Sequence, residues 1–319
     1  MNKRPVLVIG SRGSRLALTQ TKFIQAEIGR IAPEVETRIE IIKTSADKDV
    51  VTSLRTSGGA GVFVKELEQA LLRGEIDIAV HSMKDVPTAI SDGIRLAAVP
   101  EREDARDALI IKQNFQGGVH GGKTAPIPDL RPGARVGTGS FRRQAQLLAL
   151  RPDLCIVDIR GNVDTRIRKM EDDGYDAVAL ALAGLSRLGM QNQISYTFSY
   201  EEMLPAPGQG ALAIEVRSND TPTNEILEKL NHPHTALEVA AERDFLERLG
   251  GGCNVPIAVY ARVKQGSLEM DSIVSSPDGK RVVRDKTSGN PEKSVDICAA
   301  LAERMLIAGA REILHEFRR

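Results

Sequence analysis

The feature that most constrains this fold is a repeated unit: a short apolar run, a turn of small and basic residues, then an amphipathic helix. Val6–Gly10 (VLVIG) runs into Ser11-Arg12-Gly13-Ser14, followed by an apolar stripe at Ala17, Ile24, Ile28 and Ile31, with Pro33 just beyond. Runs of this length suit buried strands, and Ser14 is a residue type that caps helix N-termini. Thr37–Ile42 reads as the next strand. The glycines Gly58, Gly59 and Gly61 precede a helix (VFVKELEQALLR) that ends near Gly74. Ile76–Val80 is a further strand and leads directly into HSMKDVP. Strand and helix alternating in this way predict a largely parallel sheet of the α/β class.

A second α/β series follows the charged stretch Pro100–Arg106, which reads as a crossing point. Strands are expected at Ala108–Ile111, Arg135–Gly137, Cys155–Ile159 and Ala177–Leu182, with helices at Phe141–Leu150 and Val163–Glu171. Phe115–Pro128 is rich in Gly and Pro and reads as a surface loop. Pro205, Pro207, Gly208 and Gly210 mark a second crossing, after which Ala211–Val216 is expected to rejoin the first sheet. Two crossings between two lobes allow a hinge with a ligand cleft. The final stretch changes character. A helix at Thr235–Leu249 precedes strands near Pro256–Val263, Ser267–Val274 and Lys280–Asp285, and one last helix is expected from Ser294 to Phe317. The expected division is residues 1–100 with 211–228, then 105–204, then an α+β domain at 232–319.

Composition excludes several functions. Lys+Arg and Asp+Glu both number 43 in 319 residues, so nothing attracts nucleic acid or an anionic membrane globally. Aromatic residues are 3% of the chain and Trp is absent, a poor basis for base stacking. The three Cys (Cys155, Cys253 and Cys298) and five His are scattered, without disulfide or zinc spacing. No metal, nucleic-acid or membrane partner is expected. The N-terminal apolar run is too short for a signal peptide, so a reducing cytosol is the expected setting. Cys155, in an apolar run, and Cys298, on a stripe with Leu301 and Met305, read as core residues.

Four segments carry candidate chemistry. His81-Ser82-Met83-Lys84-Asp85-Val86-Pro87 follows a strand, where open α/β sheets bind ligands. Lys84 and Asp85 either present opposite charges to one ligand or form an incidental surface pair. Gly137-Thr138-Gly139-Ser140-Phe141-Arg142-Arg143 puts two Arg in a first helical turn, against the dipole, an arrangement that suits an anion. A solvated charged turn is the other reading. Arg160-Gly161-Asn162-Val163-Asp164-Thr165-Arg166 repeats the pattern, as does Ser11–Ser14. Phosphate binding is not specified, since no GxxxxGK[ST] run occurs. Gly250-Gly251-Gly252-Cys253 leaves a thiol either on an accessible loop or buried after a helix cap, and no nearby base identifies it as a nucleophile.

Together these segments resemble the porphobilinogen deaminase family over nearly the whole chain. The residues that carry the resemblance are SRGS, FVKELEQALL, DIAVHSMKDVPT, VGTGSFRRQAQL, RGNVDTR, AGLSRLG, PAPGQGALAIE and GGGCNVPIAVY, in that order. HSMKDVP with a later GGCNVP is the specific part. The resemblance implies two periplasmic-binding-protein-like (type II) lobes with a hinge and cleft, plus a small C-terminal α+β domain. It implies a monomeric transferase of tetrapyrrole (haem and porphyrin) biosynthesis, joining four porphobilinogen molecules into hydroxymethylbilane and releasing ammonia. A dipyrromethane cofactor, held by a thioether to Cys253, primes the chain. Asp85 falls on the family's catalytic position. Lys84, Asp85, Ser14, Ser140, Arg142, Arg143, Arg160, Arg166 and Arg187 fall on cofactor positions, and Arg12, Ser14, Arg143, Arg160, Arg166 and Gln209 on substrate positions. The rival from another class is a non-catalytic two-lobed solute-binding protein. Two departures stand out: Ala60 where many members carry Lys, with Arg55 nearby, and Gly139 where the family's turn commonly has Ser.

Overall fold

The computed structural model describes residues 6–42, 61–112, 127, 130–251 and 255–318, with 61–63 by backbone alone. Its strands are β1 Val6–Ser11, β2 Glu36–Ile41, β3 Ile78–Ser82, β4 Ile94–Ala98, β5 Asp107–Ile111, β6 Arg135–Gly137, β7 Cys155–Val157, β8 Ala177–Ala181, β9 Tyr196–Thr197, β10 Leu212–Arg217, β11 Ile257–Lys264, β12 Ser267–Ser275 and β13 Val282–Gly289. Its α-helices are α1 Arg15–Ile31, α2 Gly61–Leu72, α3 Phe141–Leu150, α4 Val163–Asp172, α5 Leu182–Arg187, α6 Thr221–Glu228, α7 Pro233–Arg248, α8 Ser294–Met305 and α9 Arg311–Phe317. The chain forms two compact units, Met1–Glu103 with Gly210–Ala240, and Asp104–Gln209 with Ala241–Arg319.

The first unit is built on a sheet of order β2-β1-β3-β10-β4. β1 runs parallel to β2 and β3, and β10 runs antiparallel to both β3 and β4. The strand expected near 211–216 therefore does return to the first sheet. Ser14 caps α1, its hydroxyl accepting from the Ala17 N–H at 3.3 Å. The helix buries Ile24 and Ile28 against Ile9, Ile78, Val80 and Ile214, while Ala17 and Ile31 are only partly covered. Contiguous apolar strands and one-faced helices are what a sheet covered by helices requires.

The 104–209 segment of the second unit repeats the arrangement, with order β7-β6-β8-β5-β9. Again a parallel trio meets an antiparallel strand and then an outer one. Its core includes Leu109, Val136, Leu147, Ala179 and Phe198. The antiparallel sheet β11-β12-β13 carries the α+β part, packed on Phe245, Leu249, Leu301 and Met305. Its first hairpin turns at Gln265 and Gly266, both with positive φ, the type I′ pattern that matches strand twist.

Two expectations are corrected. Cys155 is exposed rather than core, because β7 is a short outer strand of its sheet. Cys298 is fully buried, as expected. The last helix is interrupted: residues 306–310 form a π segment in which Gly309 has φ 109°, a conformation no regular α-helix contains.

Candidate functional site

In the first unit, the carboxyl ends of β1 and β3 lie side by side because these strands are parallel neighbours. Arg12 and Ser14 follow β1, and Lys84 and Asp85 follow β3, so the topology brings all four to one sheet edge. Met83–Asp85 forms a single 3₁₀ turn. Met83 is 1% exposed and anchors the turn in a cluster with Val86 and Ala211, leaving Lys84 and Asp85 partly exposed. The Met83 N–H donates to the Ala211 carbonyl at 3.0 Å, and the Gln20 amide donates to the Ser82 hydroxyl at 2.9 Å. An apolar anchor inside a polar turn thus fixes where the adjacent charged pair emerges. Behind it, His81 Nε2 lies 3.1 Å from Glu215 Oε2, both side chains buried, close enough for an ion pair but not aligned as a hydrogen bond.

In the second unit, β6, β7 and β8 are parallel neighbours, so the segments that follow them share one edge. After β6, Ser140 caps α3, its hydroxyl 3.5 Å from the Arg143 N–H that donates to it. After β7, Arg160 pairs with Asp158 at 2.9 Å and stays partly exposed. Arg166, in the first turn of α4, donates to the Gly161 carbonyl at 2.7 Å. Arg187 sits in the last turn of α5, half-buried. Gly139 has a steric reason for being Gly here. A Cβ would lie 3.0 Å from Asp158 Oδ1 and 3.2 Å from the Ile159 carbonyl, so the family's commoner Ser would crowd the Arg160 turn. Ala60, Arg55 and Cys253 lie outside the described residues.

Arg142 and Arg143 do not stand free at that edge. Both are 5% exposed and both reach Asp107, which is fully buried. Arg142 Nη1 donates to Asp107 Oδ2 at 2.6 Å and to the Leu204 carbonyl at 2.8 Å. Arg143 holds Asp107 Oδ1 through Nε at 2.9 Å and Nη2 at 2.8 Å, and donates Nη1 to the Ala179 carbonyl at 3.2 Å. Burial pushes the Asp107 carboxyl up, but the two guanidiniums outweigh it and hold it well below the ordinary carboxylate range. Burial and the neighbouring Arg143 together pull the Arg142 guanidinium down despite Asp107. Two buried cations facing one carboxylate leave a surplus positive charge, and Arg142 Nε is buried without a hydrogen-bond partner among the described residues. Such a charge is costly unless an anion neutralises it.

Gln209, expected to touch substrate, is fully buried, and its amide nitrogen donates to the Ala105 carbonyl at 2.6 Å and to Asp107 Oδ1 at 3.0 Å. In this geometry it supports Asp107 and offers no exposed contact. Asp107, His81 and Glu215 had no assigned role in the sequence reading. The available signal for Asp107 was an acid opening an otherwise apolar strand, DALII. Among the described residues no cluster of His, Cys, Asp and Glu could hold a metal, and no helix is long and apolar enough to cross a membrane.

Parallel strands ending in Arg-bearing turns define an α/β protein with cationic turns along its sheet edges. Residues 7–225 match the family model "Porphobilinogen deaminase, dipyromethane cofactor binding domain" and residues 236–307 match "Porphobilinogen deaminase, C-terminal domain". The chain is 48% identical over 310 residues to the porphobilinogen deaminase of Geobacter metallireducens, covering 97% of this chain and 94% of that one. It is 46% identical to that of Pelobacter propionicus (97% and 96% covered). It is 44% identical to that of Thermus thermophilus (98% and 99% covered). The chain belongs to the porphobilinogen deaminase family. The Bordetella pertussis BvgS periplasmic VFT2 domain aligns with 71% of this chain and 87% of its own, at 14% identity and TM-score 0.40, too slight a likeness to carry an argument.

Proposed function

We propose that this chain joins four porphobilinogen molecules head to tail into hydroxymethylbilane, releasing one ammonia per unit, with Asp85 as the catalytic residue. The observation that carries this reading is the surplus positive charge of the Arg142–Arg143–Asp107 cluster, whose Arg142 Nε has no partner among the described residues. Porphobilinogen and a dipyrromethane group both carry acetate and propionate side chains, the anions such a cluster suits. The residues present therefore fit the cofactor named by the family model. When bound, that group supplies an electron-rich pyrrole carbon on which the first substrate is joined.

The chain's own residues do the rest. Arg142 and Arg143, set by Asp107, hold carboxylate. Ser140, Arg160, Arg166 and Arg187 extend carboxylate recognition along the same edge. Arg12, Ser14 and Lys84 do so on the first unit, and Cys253 is the thioether attachment point. Loss of ammonia from the substrate leaves positive charge spread over its pyrrole. The Asp85 carboxylate offsets that charge, accepts a hydrogen bond from the pyrrole N–H, and takes part in proton movement. Gln209 acts here by holding Asp107 rather than by contact with substrate. A three-domain division at 1–100 with 211–228, 105–204 and 232–319, a monomeric state and a cytoplasmic setting belong to the same reading.

Asp85→Asn keeps the shape of the side chain and removes its charge. Turnover is expected to fall at least about a hundredfold, while intact-protein mass spectrometry still finds the added mass of two pyrrole units. Near-normal turnover would remove Asp85 from this role. A wild-type protein active without that added mass would sink the cofactor assignment.

A further inference from the structure

The turn between β12 and β13 packs directly on α3, the helix that carries Arg142 and Arg143. Gly279 in this turn has φ +72°, and a Cβ there would lie 2.5 Å from the Ala149 nitrogen, 2.7 Å from the Ala145 carbonyl oxygen and 2.8 Å from the Leu148 carbonyl carbon. All three are backbone atoms, so no side chain can swing aside. Gln144 of α3 also donates its amide to the Pro277 carbonyl at 3.1 Å. At the first turn of the helix, Phe141 meets Phe317 edge to face, with centroids 4.9 Å apart.

Neither partner has room to yield. The turn is braced internally: the Gly279 N–H donates to the Ser276 carbonyl at 2.8 Å, and the Arg281 N–H to the Ser276 hydroxyl at 3.0 Å. The helix buries Leu147 completely in the core with Leu109 and Val136. The arginines depend on its position, because they reach Asp107 at 2.6 to 2.9 Å, and hydrogen bonds tolerate only a few tenths of an ångström of drift.

We propose that the β12–β13 turn, through Gly279 and Gln144, is a positioning element for the carboxylate-binding arginines of α3. Through it the C-terminal sheet sets how tightly substrate carboxylates are held. This rests on the function proposed above. Gly266 supplies the control. It occupies the other hairpin turn of the same sheet with φ +76°, but a Cβ there meets nothing within 4 Å. Gly266→Ala therefore carries the backbone strain of Gly279→Ala without pushing on α3.

The test compares the two variants by kinetics and by hydrogen exchange at the amides of residues 144–147. Relative to Gly266→Ala, Gly279→Ala should raise KM for porphobilinogen about tenfold with kcat changed less than about threefold. Exchange in α3 should be faster by about tenfold as well. Equal KM and equal exchange in the two variants, or a fall in kcat with KM unmoved, would overturn the proposal. Should Gly279→Ala fail to fold, Gln144→Ala decides, since it inserts no atoms. A rise in KM of about threefold supports the proposal, and an unchanged KM overturns it. If wild-type protein does not consume porphobilinogen, the functional reading fails, while the exchange comparison still judges the turn.

Discussion

Asp107 is the residue on which Arg142 and Arg143 depend. Its two guanidinium partners are themselves buried, so removing its charge strands both. Asp107→Asn is expected to destabilise the protein by about 3–5 kcal/mol, the scale for breaking a buried pair, read from urea unfolding midpoints. The sign with pH follows from the folded-state shift. The carboxyl is held below its ordinary range, so its contribution is fully present above about pH 4 and is lost as pH falls toward the folded value. Wild-type stability should therefore drop steeply on acidification below about pH 4, and Asp107→Asn should flatten that slope. Equal slopes in the two proteins would show that another group governs acid unfolding. The arginines themselves were legible as candidates from the GTGSFRRQ segment. Their partner was not, because an acid at the start of DALII reads locally as no more than a strand terminus.

At the scale of elements, β3 and β10 pair antiparallel and place His81 and Glu215 together directly before the Lys84–Asp85 turn. Glu215→Leu alone leaves a buried imidazole facing hydrocarbon and should cost about 2–4 kcal/mol. Adding His81→Leu should recover most of that loss, since a fully apolar pair strands no polar group. A double-mutant cycle in thermal unfolding checks this, and strict additivity would mean the two side chains do not interact. Element boundaries were largely readable: α3 and β6 span the expected residues, and Ser14 caps α1 as its residue type suggests. The interruption near Gly309 was not readable, because an isolated Gly is tolerated in a helix and tertiary contacts choose its φ. Cys155 misled for a related reason. Its neighbours Leu154 and Ile156 are apolar, but whether a strand is central or outer is decided by pairing with distant strands.

For the whole molecule, a protein with buried surplus positive charge should be stabilised by the anionic group that neutralises it. Cys253→Ser, which removes the expected attachment point, should lack the added mass of two pyrrole units and unfold several degrees below wild type in differential scanning calorimetry. Equal unfolding temperatures for loaded wild type and the unloaded variant would argue that the group does not neutralise this charge.

What the sequence determined by itself was the local grammar and its order. Strand, Arg-bearing turn and helix recur, HSMKDVP precedes GGCNVP, and a strand–strand–strand–helix segment closes the chain. Those features depend on residues near one another and are enough to specify the α/β class and the family. What only the tertiary structure decided was how the charged groups are partnered. Asp107 lies 35 and 36 positions before the arginines it binds, and the turn at Gly279 presses on a helix more than a hundred positions earlier. No periodicity reports such contacts. They arise where the topology folds distant segments onto one core, and there low exposure turns a formal charge into a demand for a partner.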